Sequence, residues 1–196
     1  MNAQYLIREI TSLGALAQEE YSQLRLISLE DRSKPTGEKM RRRQVQRTLE
    51  QIRKLRDELN SALYTHPTER PAIHSPLDGF NILQPFMIAL DQEELWTLNL
   101  DTRNRVMSVV QIYKGSVNMS QVRISEIFRQ AIIDNSPAIV ISHNHPSGDP
   151  TPSPDDVAIT RGIVQAGKLL DISVLDHLVL GGGRYISLKE RGLGFE

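Results

Sequence analysis

Two histidines separated by one residue follow directly after a short apolar run in the second half of the chain. The run from 138 to 141 is Ala-Ile-Val-Ile, and its β-branched residues predict a buried strand that reaches residue 143. Side chains of a strand alternate between its two faces, so His143 and His145 point the same way as the strand ends. Prolines at 146, 150, 152 and 154 then force the chain to turn. The pattern therefore predicts a strand, an irregular loop and a further element in close succession.

A helix start is predicted where the proline-rich loop ends. Ser153 suits the N-cap position, Pro154 the first helical position and Asp156 the third. A carboxylate in the first turn is held rigidly and is favoured by the helix dipole. Two imidazoles and one carboxylate leave a tetrahedral zinc ion with one open position for water, which is typical of hydrolytic zinc sites. We therefore predict that His143, His145 and Asp156 bind Zn²⁺.

The spacing of these residues resembles the JAMM (MPN+) metalloprotease signature, H-x-H-P, six residues, S, two residues, D. His143, His145, Pro146, Ser153 and Asp156 match its positions. Further matching blocks narrow the resemblance to the RadC-like branch of the family. These blocks are residues 100–106, 115–118, 125–128, 143–149 and 175–177. The resemblance covers roughly residues 75–196. The resemblance implies a cytidine-deaminase-like JAMM/MPN sandwich, an α/β fold with a mixed sheet. It also implies a zinc metallopeptidase or isopeptidase that acts on a peptide or isopeptide substrate.

The same resemblance implies a glutamate general base upstream of the ligands, which would take a proton from a zinc-activated water. Two adjacent candidates stand there, Glu93 and Glu94. In the RadC-like pattern this glutamate stands eight residues before the aspartate of the Leu-Asp-Thr block, and counting back from Asp101 gives Glu93. Glu94 is then expected on the opposite face of the strand. The alternation over residues 95–100 is imperfect, so the pattern alone leaves the pair open, and Glu126 is a further alternative.

Ser153 has two competing roles. In the JAMM family the matching serine donates a hydrogen bond to the developing oxyanion, and loss of such a donor typically costs about 2.7–4 kcal/mol of transition-state stabilisation. The simpler role is a helix N-cap whose capping-box partner is Asp156. One hydroxyl proton cannot easily serve both roles, so we name Ser153 as a catalytic candidate and leave the cap as its alternative.

Two long helices are predicted before this part of the chain. Residues 2–30 and 38–66 carry apolar side chains at helical spacing, and residues 31–37 form a polar turn. A narrow stripe close to a coiled-coil seam runs along the second helix and consists of Val45, Leu49, Ile52, Leu55, Leu59 and Leu63. We therefore predict a helical hairpin at 1–66, a linker at 67–76 and a catalytic domain at 77–196. The hairpin buries little alone, so it must pack on the catalytic domain or on another chain, and we expect that a homodimer or a partner protein covers the stripe.

Alternating helices and strands are predicted after the linker. The helices fall near 77–90, 125–135 and 154–170, and the strands near 94–100, 105–114, 138–143, from 172 past 177, and 184–188. Three glycines at 181–183 predict a tight turn before the last strand. His177 beside Asp176 is expected to be a hydrogen-bonded structural residue. This alternation is typical of an α/β sandwich.

Composition limits the classes of function. The chain has 196 residues and a net charge of −1, so no global charge drives binding to nucleic acid or membranes. It has no cysteine, which excludes disulfides, thiolate zinc ligands and a cysteine nucleophile, and which fits a cytoplasmic location. No apolar stretch approaches the ~18 residues that would span a membrane, and the first 20 residues lack the pattern of a signal peptide.

A cluster of basic residues on the second predicted helix gives the alternative function. The cluster consists of Lys39, Arg41, Arg42, Arg43, Arg47, Arg53, Lys54 and Arg56. Such a helix could contact a nucleic-acid backbone, as in a RadC-like protein of the DNA-repair type. A solvated helix face is the simpler explanation, and the helix-hairpin-helix segment usual in RadC proteins is not seen. We therefore expect binding to nucleic acid to be weak. A third hypothesis is a scaffold that has lost its metal site, and the intact set of ligands argues against it.

Overall fold

The protein is described by a computed structural model over residues 2–30, 35–88, 90–115 and 123–196. Most of the predicted turn at 31–37, and nearly all of the RadC-like block at 115–118, lie outside these residues. Among the described helices, none combines the length and the apolar character that crossing a membrane requires.

The order of helices and strands follows the predicted order. The helices are α1 (Ala3–Glu30), α2 (Pro35–Thr65), α3 (Pro76–Met87), α4 (Ile124–Ile133) and α5 (Pro154–Leu169), and the strands are β1 (Glu94–Leu100), β2 (Val106–Lys114), β3 (Ala138–Asn144), β4 (Ser173–Gly181) and β5 (Arg184–Ser187). A short 3-10 helix, Pro67–Glu69, lies in the predicted linker and was not expected. Ser75 and Asp78 form a capping box at the start of α3, which explains why this helix begins there.

The five strands form one mixed sheet in the order β2-β1-β3-β4-β5. Only β3 and β4 run parallel, and the other neighbours are antiparallel. Strand β3 lies at the centre of the sheet, and all seven of its residues are buried, as its β-branched sequence predicts. In the pairing of β1 with β3, Leu95 lies opposite His143, so the start of β1 reaches the level of the predicted ligands.

Helices cover both faces of this sheet. Alternate residues of β3 belong to different cores, because Ile139 and Ile141 pack with α4 and α5, whereas Val140 packs with α1, α2 and α3. The predicted α/β sandwich with a mixed sheet is confirmed. The side with α4 and α5 is the side on which the predicted carboxylate ligand of α5 lies.

The helical hairpin of α1 and α2 shares a core with the sheet. Leu6, Ile10 and Ile52 are buried in the same cluster as Leu83 of α3 and Leu98 of β1. In the predicted stripe, Val45, Ile52, Leu59 and Leu63 are buried, and Leu49 and Leu55 are partly buried. Full burial of one such side chain contributes about 1.5–3 kcal/mol. The stripe is therefore covered within the chain, where we expected a second copy or a partner protein to cover it, and the homodimer itself stays a prediction.

A glycine permits the close approach of α1 to α3. A Cβ atom placed on Gly14 would lie 2.8 Å from the Cβ of Pro85, a distance at which one of the two helices must shift. Glycine lowers helix stability by roughly 0.5–1 kcal/mol relative to alanine, so its presence inside α1 is explained by this crossing. The crossing holds α1 beside the end of the sheet where the predicted ligands lie.

Candidate metal centre

The loop between β3 and α5 is held against the end of β4. The His145 N–H donates to the carbonyl of Leu180 at 2.7 Å, which continues the contacts between β3 and β4 by one residue. A Cβ atom on Gly181 would lie 2.9 Å from backbone atoms of Gly148, Asp149 and Pro150, so only glycine fits at this contact. The loop thereby turns back and delivers the first turn of α5 to the histidines.

The three predicted ligands meet at one point. The Nε2 of His143 lies 3.0 Å from the Nε2 of His145 and 3.2 Å from the Oδ1 of Asp156. The Nε2 of His145 lies 3.5 Å from the Oδ2 of Asp156. A tetrahedral zinc ion with bonds of 2.0–2.1 Å places neighbouring ligand atoms about 3.3 Å apart. The spacing of the group therefore fits a metal ion, and this His-His-Asp group could hold one.

Hydrogen bonding leaves electron pairs directed at the centre of this group. The Nδ1 of His145 lies 2.8 Å from the carbonyl oxygen of Asp149, and a carbonyl only accepts, so Nδ1 carries the proton. In the neutral ring the Nε2 of His145 then has a free lone pair, which points toward His143 and the Asp156 carboxylate. Lone pairs held this close repel one another unless a cation or a proton lies among them. The donor set is thus that of a cation site.

The ionisation of the group agrees with a shared positive charge. Burial by itself raises the pKa of Asp156, but the close contacts with His143 and His145 outweigh it and hold that pKa far below its usual value. The hydrogen bond to Asp156 raises the pKa of His145, against the lowering effect of burial. Both pKa directions show that the surroundings of the group favour positive charge at its centre.

Ser153 occupies the N-cap of α5. Its hydroxyl oxygen accepts from the Asp156 N–H at 3.2 Å, and its hydroxyl donates to the Oδ2 of Asp156 at 2.7 Å. The Ser153 N–H donates to the same oxygen at 2.7 Å, which completes a capping box. Ser153 therefore uses its single hydroxyl proton to orient the Asp156 carboxylate. This geometry is that of a helix N-cap, which is the alternative role expected for Ser153.

The two neighbouring glutamates lie in different surroundings. Glu94 is 1% exposed and faces α2, where it accepts from the Trp96 indole at 3.0 Å and forms ion pairs with Arg53 at 3.8 Å and Lys114 at 3.5 Å. Glu93, which precedes β1, is half-buried. The pKa of His145 is raised first by Asp156 and, among weaker causes, by the charge of Glu93.

The structure therefore brings Glu93 within electrostatic reach of the metal group and turns Glu94 toward the hairpin. The assignment of Glu93 as the general base stays a prediction. The further alternative, Glu126, is exposed in the first turn of α4.

Asn144 is a site residue that the sequence reasoning missed. It lies between the two histidines, is 4% exposed, and its side chain faces away from them toward the start of β1. Its Oδ1 accepts from the Glu94 N–H at 2.7 Å, and its Nδ2 donates to the carbonyl of Gln92 at 3.1 Å. These contacts hold the backbone on both sides of Glu93. Period-two alternation does place Asn144 on the face opposite His143, but its partners lie 50 and 52 residues away in sequence.

His177 lies directly behind the first ligand. It is 1% exposed on β4, and its Nε2 lies 2.8 Å from the Nδ1 of His143. Burial holds the pKa of His177 well below its usual value. Its neighbour Asp176 accepts from the Ser187 hydroxyl and from the His177 N–H, which fixes the β4 backbone. The expectation that His177 is hydrogen-bonded within the fold is confirmed.

A cleft of about 210 Å³ opens beside the second ligand. Its lining includes His145 and Gly182, together with Gln84 of α3 and with Gln18 and Tyr21 of α1. The Tyr21 hydroxyl donates to Asp91 at 3.4 Å, so α1 contacts the segment that precedes Glu93. The hairpin therefore forms part of the wall next to the metal group.

Comparisons with known proteins agree with this geometry. The model of the RadC-like JAB domain family matches residues 73–193, which include the three ligands, Glu93 and Ser153, and exclude the hairpin. A UPF0758 protein of Roseiflexus sp. (strain RS-1) is 57% identical over 127 residues, which are 65% of this chain and 54% of that protein. A UPF0758 protein of Moorella thermoacetica is 43% identical over 136 residues, 69% of this chain and 59% of that protein. The chain thus spans little more than half the length of these curated relatives. Since the family model covers more than half of the chain, this protein belongs to the RadC-like JAB domain family.

Proposed function

We propose that this protein is a zinc-dependent hydrolase of the metallopeptidase or isopeptidase class. The observation that supports the proposal is the convergence of His143, His145 and Asp156 beside an open cleft. If His143, His145 and Asp156 hold a zinc ion, the ion would lower the pKa of a bound water toward neutral pH and would polarise the carbonyl of a substrate. The family supports hydrolysis with a metal, and the peptidase or isopeptidase chemistry is our proposal.

Glu93 is proposed to hold and move the proton of the attacking water. A general base must lie within hydrogen-bond reach of the proton that it takes, so the main chain that carries Glu93 must be held in place. Asn144 supplies that restraint through Gln92 and Glu94. Glu93 would accept the proton on attack and return it to the amine that leaves.

Ser153 is proposed to act first through Asp156. Its hydroxyl donates to the Oδ2 of Asp156, and this contact sets the direction of the second carboxylate oxygen. Donation to an oxyanion requires the hydroxyl to rotate away from Asp156, while the Ser153 N–H keeps its own bond to the same oxygen. The catalytic role inferred from the JAMM resemblance thus remains open to Ser153 after such a rotation.

The cleft beside His145 is the proposed binding site for one side of the substrate. Its lining mixes apolar side chains, such as Phe80 and Met87, with amides such as Gln18 and Gln84. This mixture suits a peptide chain, which offers main-chain amides and side chains together. Because α1 forms one wall, the hairpin is expected to contribute to the choice of substrate.

A hydrolysis assay tests the proposal directly. The zinc-loaded protein is incubated with a diverse library of peptides and isopeptide-linked peptides, and cleavage is followed by mass spectrometry. We expect cleavage by the wild-type protein, and cleavage slower by about 10²–10⁴-fold in Glu93→Gln with the same zinc content. A fully zinc-loaded protein that cleaves no member of the library would contradict the proposal.

Binding to nucleic acid is the second candidate function, and exposed cations on α2 favour it. Arg43 and Arg47 are exposed, whereas Arg53 contacts Glu94 and Arg56 lies over the Trp96 ring at 5.6 Å. Fluorescence anisotropy with duplex and single-stranded DNA over a range of salt concentrations measures this binding. We expect weak binding at physiological salt; tight, strongly salt-dependent binding that is lost in Arg43→Glu would favour this function instead.

The expected homodimer or partner complex would form through the outer surface of the hairpin. Tyr5, Met40 and Tyr64 are exposed there by 52%, 69% and 80%. Light scattering of the full chain measures its mass in solution, and a monomer would contradict the homodimer. The cytoplasmic location stays a prediction.

A further inference from the structure

A chain of three short contacts runs from the first ligand into helix α5. The Nδ1 of His143 lies 2.8 Å from the Nε2 of His177, and the Nδ1 of His177 lies 2.6 Å from the hydroxyl of Thr160. The Thr160 hydroxyl lies 2.5 Å from the main-chain oxygen of Asp156. His177 is 1% exposed and Thr160 is fully buried, so water does not compete for these contacts. The chain begins at one ligand and ends on the backbone of another.

The direction of every proton in this chain follows from its last member. A main-chain carbonyl has no proton, so the contact between the Thr160 hydroxyl and the Asp156 oxygen needs the proton of Thr160. The Thr160 oxygen is then an acceptor toward His177, so the Nδ1 of His177 carries a proton. In a neutral imidazole only one nitrogen is protonated, so the Nε2 of His177 accepts, and the Nδ1 of His143 donates to it. The Nε2 of His143 is thereby left with its lone pair.

We propose that Thr160 and His177 form a tautomer relay that holds His143 ready to bind the metal ion through Nε2. Neither residue touches the metal or the substrate, so both are positioning residues. Histidine ligands commonly donate their second N–H to a carboxylate or a carbonyl, which fixes the tautomer. Here the acceptor is a neutral imidazole, whose own tautomer depends on a threonine. The proposal rests on the metal site in the proposed function, and not on its peptidase chemistry.

The position of the relay in the fold supports this role. Strands β3 and β4 are parallel neighbours with Ile141 opposite His177, so His143 and His177 lie on the same face of the sheet, two residues apart in register. Thr160 lies one turn after Asp156 in α5, where its hydroxyl can reach the carbonyl four residues earlier. The first turn of α5 therefore supplies a carboxylate to the metal group and a carbonyl that fixes the tautomer of His143. A shift of α5 would disturb both contributions together.

Two substitutions of matched size test the relay. Thr160→Val keeps the shape of the side chain and removes the hydroxyl, whereas Thr160→Ser keeps the hydroxyl. In Thr160→Val the Nδ1 proton of His177 loses its acceptor. We expect His177 to change to the tautomer protonated at Nε2, which would force the proton of His143 onto its own Nε2 and block the ligand. Zinc affinity, measured by competition with a chelator, should fall about 10–100-fold in Thr160→Val. In Thr160→Ser the zinc affinity should stay within about threefold of the wild-type value.

The tautomers can be read independently of activity. Long-range ¹H–¹⁵N correlation spectra of the metal-free wild-type protein, at an alkaline pH where the ligands carry no extra proton, report which nitrogen of each histidine is protonated. We expect a proton on Nδ1 of both His143 and His177, and a proton on Nε2 of His177 in Thr160→Val. The wild-type spectrum alone decides the direction of the relay, so the test does not depend on the folding of a variant.

The outcomes separate this proposal from the proposed function. A wild-type spectrum with the proton on Nε2 of His177 overturns the relay, and so does unchanged zinc affinity in a folded Thr160→Val protein. Expected tautomers and affinities together with no cleavage of any peptide would uphold the relay and count against the peptidase function. Thermal unfolding of each metal-free variant checks that the fold is retained.

Discussion

The side chain of Asn144 accepts a hydrogen bond from the main-chain N–H of Glu94 at 2.7 Å. Since the same amide donates to Gln92 at 3.1 Å, the residue between the two histidine ligands also fixes the loop that carries Glu93. An asparagine has the one acceptor and the one donor that this position requires, and an aspartate has only acceptors. The ligands and the proposed base are thus joined by one side chain, although they lie in separate parts of the sequence.

Substitution of Asn144 is expected to lower activity without loss of metal. In Asn144→Asp the bond to Glu94 can persist, but the second oxygen meets the Gln92 carbonyl and repels it. The backbone around Glu93 should then shift, and a displacement of about 1 Å can cost up to about 10²-fold in rate. The measurement is kcat at equal zinc content, and an unchanged kcat would show that Asn144 does not position the base.

The two neighbouring glutamates are expected to respond differently to the same change. Glu93→Gln should keep zinc and lower kcat by about 10²–10⁴-fold, because an amide cannot accept the proton of the water. Glu94→Gln can still accept from the Trp96 indole and loses only its ion pairs with the partly exposed Arg53 and Lys114, so its kcat should change little. Kinetics of both variants at matched zinc content would decide, and the reverse pattern would mean that Glu94 is the base.

Ser153→Gly separates the two roles of this residue. Glycine at an N-cap costs only a few tenths of a kcal/mol, whereas alanine typically costs about 1 kcal/mol. If the hydroxyl donates to the oxyanion, kcat should fall by about 10²–10³-fold in Ser153→Gly while the melting temperature stays nearly constant. A fall of less than about tenfold would leave only the contact with Asp156 as the function of this hydroxyl.

The metal-free protein is expected to be most stable near pH 6.5, the ordinary pKa of histidine. The pKa of His145 is raised, chiefly by Asp156, so its contribution is full below pH 6.5 and is lost as the pH rises through the folded-state pKa. Burial lowers the pKa of His177, so its contribution is full above pH 6.5 and is lost as the pH falls through its folded-state pKa. The melting temperature should therefore decline on both the acid and the alkaline side of this pH.

Bound zinc should abolish the decline in melting temperature at alkaline pH, because the ion replaces the proton of the ligand group. The measurement is thermal unfolding between about pH 5 and 9, with and without zinc. Stability of the metal-free protein that rises steadily above pH 6.5 would contradict this assignment of the ionised groups.

Local sequence patterns predicted the elements and the ligand group well, and predicted contacts between elements poorly. Spacing alone brought His143, His145 and Asp156 together, because a strand end, a proline-rich loop and a capped helix have few arrangements. The sequence led us to expect a second copy or a partner protein over the hairpin stripe, which the sheet and α3 cover instead, since a stripe does not specify its partner. The partners of Asn144 and the contact of His177 with Thr160 depend on register and helix packing across the fold, which no local period encodes.

The zinc content of the purified protein tests the central claim most directly. The protein is prepared without an affinity tag and measured by inductively coupled plasma mass spectrometry, beside His143→Ala and Asp156→Ala as matched variants. The geometry of the three ligands predicts about one zinc ion per chain in the wild-type protein and a sharp loss in both variants. A wild-type zinc content near zero, even after dialysis against zinc, would contradict the metal site and the hydrolase proposed from it.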